Sequence, residues 1–169
     1  FVIFGNPVSQ SKSPQMHNAG FKYINFDGNY GRHQLDDGST IKEVFLQNNY
    51  SGANITAPHK EFAYENADEI RGLAKEIKAV NTYINENGKI IAYNTDAPGF
   101  LKAIESFGTV NNVLLLGAGG TAKALALALQ SKDIIANKKE NIHVFIVVII
   151  YVLFINDYFK LYHSINFAI

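Results

Sequence analysis

The stretch VLLLGAGGTAKALALAL, residues 113–129, constrains the fold more than any other part of this 169-residue chain. Four apolar residues end at a cluster of glycines, and a run rich in alanine and leucine follows. The first pattern is typical of a buried strand and the second of a helix. A glycine-rich turn between them predicts a βα unit whose turn and helix N-terminus can bind a phosphate group.

The spacing of the glycines predicts a dinucleotide site at this turn. The pattern is G-x-G-G-x-A, in which Ala122 replaces the third glycine of the commoner motif. A tight turn that only packs the helix against the strand is the alternative interpretation. The residues that we expect to hold the pyrophosphate are Gly117, Ala118, Gly119, Gly120 and Thr121.

The rest of the cofactor site is harder to find in the sequence. A residue that recognises the ribose hydroxyl or a 2′-phosphate is expected at the end of the next strand. We predict that strand over residues 142–150, and the segment at its end, VVIIYVLF, carries neither an acid nor a base. Lys138 and Lys139 would then precede the strand, at the wrong end. The sequence therefore predicts only part of a cofactor site.

Strand-like and helix-like patterns alternate along the chain, which predicts an α/β fold with parallel pairing. Asn87-Gly88 is a strong signal for a two-residue hairpin turn. We predict strands over 1–4, 30–35, 52–56, 79–85, 89–93 and 113–116. We predict helices from Pro14, after a cap at Ser39, as one or two helices over 61–78, and over 96–107 and 120–130.

Charge and composition exclude several classes of function. The 15 basic and 15 acidic residues cancel, so the chain shows no electrostatic footprint for nucleic acid or an anionic membrane. The absence of cysteine excludes disulfides and thiolate metal sites, and the five histidines show no short ligand spacing, so we predict no metal. The apolar run 144–155 is short for a membrane-spanning helix, which needs about 20 residues.

Three polar stretches that contain proline follow apolar segments: SQSKSP at 9–14, GANITAPHK at 52–60 and AYNTDAPGF at 92–100. Ligands of α/β sheets bind at the carboxyl ends of the strands, so these stretches predict one small-molecule site. Each also has a simpler interpretation. The two serines could cap the helix that Pro14 opens, Asp96 could cap the next helix, and Lys60 could be a solvated surface residue.

Five motifs together carry a family resemblance: FGNPVSQSKSPQMHN, GANITAPHK, AVNT, YNTDAPGF and GAGGTAKA. In this order and spacing they resemble shikimate dehydrogenase, the NADP-dependent enzyme of aromatic amino-acid biosynthesis. The resemblance covers about residues 1–130. It implies a shikimate-binding α/β domain over 1–100 and an incomplete Rossmann-like NADP-binding domain over 101–169. It also implies a cytoplasmic location and a small-molecule substrate, shikimate or 3-dehydroshikimate. A homodimer is compatible with the resemblance.

The resemblance implies a role for each matching residue. The serines would hydrogen-bond the substrate carboxylate, and the other residues would contact its hydroxyl groups or the reacting oxygen. A lysine beside an aspartate can move the proton of the alcohol while the nicotinamide takes the hydride. The implied substrate-binding residues are Ser11, Ser13, Thr56, Lys60, Asn81 and Asp96, of which Lys60 and Asp96 would be catalytic.

The sequence departs from the family after about residue 146. Members of the family are longer. They carry a basic N-R-[ST]-x-x-R stretch, further strands and a C-terminal segment that returns to the substrate domain. In place of these, this chain has an apolar tail of high β-propensity. We interpret the tail as a lost reading frame or a genuine divergent end. Two alternatives to the NADP-dependent enzyme therefore stay open: an inactive remnant that at most binds shikimate, and a quinate/shikimate dehydrogenase that uses NAD.

Overall fold

The computed structural model describes residues 1–105, 112–116, 120–132 and 135–139. The chain divides into two compact units, of which the first is Phe1–Ala103 and the second begins at Ile104. The strands of the first unit are β1 Val2–Gly5, β2 Gly31–Gln34, β3 Gly52–Ile55, β4 Glu69–Ile70, β5 Thr82–Glu86 and β6 Lys89–Tyr93. Its helices are α1 Ser13–Tyr23, a 3-10 helix Gly38–Thr40, α2 Ile41–Gln47, α3 Lys60–Asn66, α4 Ala74–Ile77 and α5 Asp96–Ile104, which ends one residue beyond the unit.

The six strands form one mixed sheet in the order β2-β1-β3-β5-β6-β4. β1 is parallel to β2 and β3, and β4 is parallel to β6, whereas β5 is antiparallel to both of its neighbours. The predicted α/β class is confirmed, but pairing is not parallel throughout. The predicted hairpin makes β5 and β6 antiparallel, because Asn87 and Gly88 both adopt positive φ (56° and 84°) and reverse the chain between these two strands.

The structure refines one local prediction and corrects another. The segment 61–78 forms two helices, α3 and α4, which is one of the two predicted possibilities, but the short strand β4 lies between them. The Asp68 N–H donates to the Ile90 carbonyl, and the Arg71 N–H donates to the Ala92 carbonyl. These two bonds pair the segment between the helices with β6. Ser39 does not cap the helix after it. Asp37 instead accepts the Ser39 N–H at 2.9 Å and the Ser39 hydroxyl at 2.8 Å.

The first unit is built around β1, whose four residues are all buried. Val2 and Phe4 belong to the main apolar cluster, which also contains Phe45 and Tyr83, whereas Ile3 packs in a second cluster. Alternate residues of a strand point to opposite faces, so a strand covered on both sides reads as a continuous apolar run. This explains the sequence FVIF.

The second unit contains β7 Asn112–Leu116, α6 Gly120–Gln130 and β8 Ile135–Lys139. β7 and β8 are parallel, with Leu116 opposite Lys139. The predicted strand before the glycine cluster and the predicted helix after it are both confirmed. The prediction that the next strand spans 142–150 is wrong, because β8 takes that place. IANKK has little β-propensity, and pairing with β7 supplies the backbone hydrogen bonds that stabilise it as a strand.

The tail from about 146 lies outside the described residues, as does the segment 142–150. None of the described helices has the length and apolar character that a bilayer crossing requires. Within the same described residues, no cluster of three or more histidine or acidic side chains could hold a metal ion.

Candidate active site

The loops that follow β1 and β3 lie side by side because the two strands are parallel neighbours. The Thr56 N–H donates to the Phe4 carbonyl at 2.9 Å, and the Asn6 N–H donates to the Ala57 carbonyl at 3.2 Å. The segment before β5 joins them through Lys60, whose carbonyl accepts the Val80 N–H at 3.0 Å. The polar stretch at 52–60 therefore adjoins both the first loop and the start of the AVNT motif.

Lys60 and Asp96 form an ion pair at the starts of two helices. Lys60 is the first residue of α3 and Asp96 is the first residue of α5. The Lys60 Nζ lies 2.5 Å from Asp96 Oδ2, and the two side chains are 18% and 28% exposed. Such partly exposed groups remain accessible to a small ligand while their charges face each other.

The other Asp96 oxygen is held by Asn81. Asn81 Nδ2 donates to Asp96 Oδ1 at 2.7 Å, and Asn81 is only 8% exposed. The Asp96 N–H donates to Asn94 Oδ1 at 3.0 Å, so the side chain of Asn94 accepts the first backbone N–H of α5. The simpler interpretation, in which Asp96 serves only as a helix cap, does not describe this side chain.

Thr95 and Thr82 set the orientation of the Asn81 amide. The Thr95 N–H and the Thr82 hydroxyl each donate to Asn81 Oδ1 at 2.9 Å. With the amide oxygen occupied by donors, the Asn81 NH₂ group must face Asp96. The sequence analysis missed both threonines, although each directly adjoins a predicted site residue.

Ser11 and Ser13 lie together at the start of α1. The Ser11 hydroxyl donates to Ser13 Oγ at 3.1 Å, and the Ser13 N–H donates to Ser11 Oγ at 3.2 Å. The N-cap residue of α1 is Lys12, whose side chain makes no capping hydrogen bond. Ser11 therefore takes part in starting the helix, while Ser13 Oγ is oriented by Ser11.

Thr56 and His59 shape the turn that leads to Lys60. The Thr56 carbonyl accepts the His59 N–H at 3.0 Å, and a Cβ on Gly5 would lie 2.5 Å from Thr56 Cγ2. His59 is 1% exposed, and its Nε2–H donates to the Leu35 carbonyl at 2.6 Å. The buried ring thus ties the start of α3 to the end of β2.

Tyr30 is a further residue that the sequence analysis left unassigned. Its hydroxyl donates to Asn54 Oδ1 at 2.6 Å, and Asn54 belongs to the GANITAPHK stretch. Burial raises the pKa of Tyr30 well above its usual value, so the hydroxyl stays a neutral donor. This contact orients the Asn54 side chain within the same motif as Thr56.

Of the predicted cofactor residues, Gly117, Ala118 and Gly119 lie outside the described residues, and Gly120 and Thr121 open α6. The parallel β7–α6–β8 arrangement is the unit in which a dinucleotide binds at the helix N-terminus, so Gly120 and Thr121 lie where that group would bind. The corrected position of β8 also changes the interpretation of two lysines. Lys138 and Lys139 lie opposite Leu115 and Leu116, at the carboxyl end of the strand rather than before it.

Comparison with known proteins identifies relatives over most of the chain. Residues 3–83 match the family described as the shikimate dehydrogenase substrate binding domain. The NADP(+) shikimate dehydrogenase of Helicobacter hepaticus is 46% identical over 135 residues, which cover 79% of this chain and 50% of that protein. The Helicobacter pylori J99 enzyme is 45% identical over 140 residues, covering 79% and 53%.

Solved structures agree with these matches. The Thermus thermophilus shikimate 5-dehydrogenase in complex with NADP(H) and shikimate superposes with a TM-score of 0.75 at 34% identity, covering 83% of this chain and 55% of that one. Shikimate dehydrogenase from Aquifex aeolicus gives a TM-score of 0.78 at 34% identity, covering 85% and 56%. The predicted resemblance is confirmed, and the chain spans about half the length of the relatives it matches.

Proposed function

We propose that this chain carries the shikimate site of an NADP-dependent shikimate dehydrogenase, because residues 3–83 match the shikimate dehydrogenase substrate binding domain. The observation that supports this best is the network in which Asp96 accepts from Lys60 at 2.5 Å and from Asn81 at 2.7 Å. The reaction is the reduction of 3-dehydroshikimate to shikimate and its reverse.

The proton chemistry falls to Lys60. Its ammonium group would donate a proton to the developing alkoxide oxygen during reduction, and the neutral amine would take it back during oxidation. Asp96 holds Nζ in place and has lone pairs left to accept a substrate hydroxyl. The dinucleotide, when bound, supplies or accepts the hydride.

The remaining residues would orient the substrate. Ser11 and Ser13 present paired hydroxyl groups that suit a carboxylate, since one hydroxyl donates to the other and leaves the second free to donate outward. Thr56 and Asn81 would contact the ring hydroxyls. These roles come from the match between their motifs and the family, and Asn81 also donates directly to Asp96.

For the cofactor we propose NADP, held at Gly117, Ala118, Gly119, Gly120 and Thr121. Lys138 and Lys139 lie at the carboxyl end of β8, where this fold places the residues that contact the 2′-phosphate of NADP. Their positive charges therefore support NADP as the cofactor. They weaken the case for the NAD-dependent alternative. The curated relatives named above are NADP(+) enzymes.

We also propose that the chain divides into two domains. The first compact unit ends at Ala103, which supports a substrate domain over about 1–100 and a cofactor domain from 101. A cytoplasmic location is supported by the biosynthetic role of the relatives' family. The homodimer stays a prediction from the resemblance.

Two measurements on folded protein test the proposed function. Calorimetric titration with shikimate should give saturable binding, and shikimate with NADP should give reduced nicotinamide, detected by its absorbance. Binding without turnover would leave a shikimate-binding chain that is not a dehydrogenase by itself. Absence of binding from protein shown to be folded by circular dichroism would overturn the proposal.

A further inference from the structure

Arg32 lies on the edge strand β2 and reaches across to the loop that carries the paired serines. Its Nε donates to the Ser11 carbonyl at 3.0 Å, and its Nη2 donates to the same oxygen at 2.5 Å. Nη2 also donates to Gln15 Oε1 at 3.1 Å, in the first turn of α1. Arg32 lies outside every motif that predicts the site.

These contacts hold the backbone at Ser11 and the first turn of α1, which begins at Ser13. Ser11 donates its N–H to the Val8 carbonyl at 3.1 Å, which is a bond within the same loop. The Arg32 contacts instead join the loop to the sheet, across 21 residues of sequence. Two hydrogen bonds from one planar guanidinium to one carbonyl restrict the direction of that carbonyl more than a single bond would.

The same contacts place a permanent positive charge beside the serines. Serine hydroxyls are neutral donors, so a carboxylate bound to them gains no charge compensation from the hydroxyls themselves. The guanidinium is a cation, and it contacts the carbonyl oxygen of Ser11, the residue that carries one of the two hydroxyls. A nearby cation favours binding of an anion even without direct contact.

We propose that Arg32 is a positioning residue for the carboxylate subsite, holding the Ser11–Ser13 pair in its binding geometry and supplying the charge that favours a carboxylate. The inference rests on the proposed function, since it takes the carboxylate of shikimate as the group that the serines bind. It goes further by assigning the specificity for an anionic substrate to a residue outside the predicted motifs.

The test compares two probes, shikimate and its uncharged methyl ester, by calorimetry or by NMR titration where binding is weak. Arg32→Met should weaken shikimate binding about tenfold or more, and methyl ester binding by about threefold at most. Arg32→Lys keeps the charge but loses the two-bond contact, so its shikimate affinity should lie between those of wild type and Arg32→Met. If Arg32→Met does not fold, Arg32→Gln removes the charge and allows the same comparison.

Arg71→Met is the matched control. Arg71 follows β4, at the opposite edge of the same sheet, and hydrogen-bonds Glu69 and Tyr93. Removing this charge should change shikimate affinity by less than about twofold. Thermal unfolding of every variant confirms that the compared proteins are folded.

The possible outcomes separate the two proposals. A shikimate affinity of Arg32→Met within about twofold of wild type would overturn both roles of Arg32 and leave the proposed function in place. An equal loss of affinity for both probes would overturn its charge role, because only shikimate carries the negative charge. Wild-type protein that binds neither probe would overturn the proposed function, and the inference with it. A loss of affinity in Arg32→Met that is much larger for shikimate than for the methyl ester supports the role proposed for Arg32.

Discussion

Lys60 Nζ lies 2.5 Å from Asp96 Oδ2, although 36 residues separate the two along the chain. Each residue opens a helix, so each side chain leaves a backbone whose direction is set by the preceding loop. Asn81 completes the arrangement from the segment just before β5. The chemistry that we propose depends on this pairing of two helix starts.

Replacement of the lysine tests the proton-transfer role. Lys60→Met should lower the rate of shikimate oxidation with NADP by about a hundredfold or more, because general acid–base groups contribute at that level. Lys42→Met is the control, since it breaks another lysine–aspartate pair, Lys42–Asp68, which involves none of the predicted site residues. Equal rates for wild type and Lys60→Met would contradict the assignment.

Replacement of the amide tests the orientation of Asn81. Asn81→Asp would replace the amide that donates to Asp96 Oδ1 at 2.7 Å with a second carboxylate. Because the two carboxylates repel each other, the free energy of unfolding should fall by about 1–3 kcal/mol at neutral pH. Asn87→Asp makes the same change in an exposed turn, where aspartate tolerates the positive φ. Denaturant unfolding should show little effect there, and equal losses in both variants would refute the Asn81 network.

The closeness of β1 to the Thr56 turn gives a prediction about packing. Gly5→Ala would bring a Cβ within 2.5 Å of Thr56 Cγ2, which should cost about 1–3 kcal/mol and weaken shikimate binding by shifting Thr56. Gly31→Ala, with nothing within 4 Å, should change stability by less than about 0.5 kcal/mol. Thermal unfolding and shikimate titration of both variants measure the difference. A tolerated Gly5→Ala would show that the turn has room to move.

The position of β8 leads to a prediction about cofactor preference. Replacing Lys138 and Lys139 together with serine should reduce NADP affinity about tenfold and leave NAD affinity nearly unchanged, because only NADP carries the 2′-phosphate. Lys132→Ser, just after α6, serves as the control for loss of a positive charge in the same unit. Cofactor titrations followed by fluorescence provide the measurement. An equal effect on both cofactors would argue against a 2′-phosphate contact.

The pKa of Asp68 predicts a pH-dependent contribution to stability. The Ile90 N–H, at 2.9 Å from Oδ2, and then the Lys42 ammonium hold the pKa of this carboxyl below its usual 3.8. Because the folded-state pKa is the lower one, the stabilisation is present above about pH 3.8 and is lost as the pH falls through the folded-state value.

Asp68→Ala should therefore lower the free energy of unfolding by about 1 kcal/mol at neutral pH, and the difference from wild type should shrink as the pH falls below about 3.8. Urea unfolding at several pH values measures both effects. Asp27→Ala, in an exposed loop, controls for loss of a carboxyl group. A difference that stays constant with pH would mean that the charge of Asp68 does not stabilise the fold.

Several features of this chain could be predicted from the sequence because local chemistry determines them. The apolar run FVIF became a buried strand, Pro14 opened α1, Asn87-Gly88 made a hairpin, and the helix after the glycine cluster begins and ends at the predicted residues. Turn residues and hydrophobic periodicity act within a few positions, so they are readable in one sequence.

Tertiary structure alone decided the contacts between distant segments. The sequence shows a lysine, an aspartate and an arginine, but only the sheet order brings Lys60 to Asp96 and Arg32 to Ser11. It also decided that the weakly apolar segment IANKK forms β8, since the partner strand β7 stabilises it. Strand pairing depends on groups far apart in the chain, and their register is settled when the whole core packs.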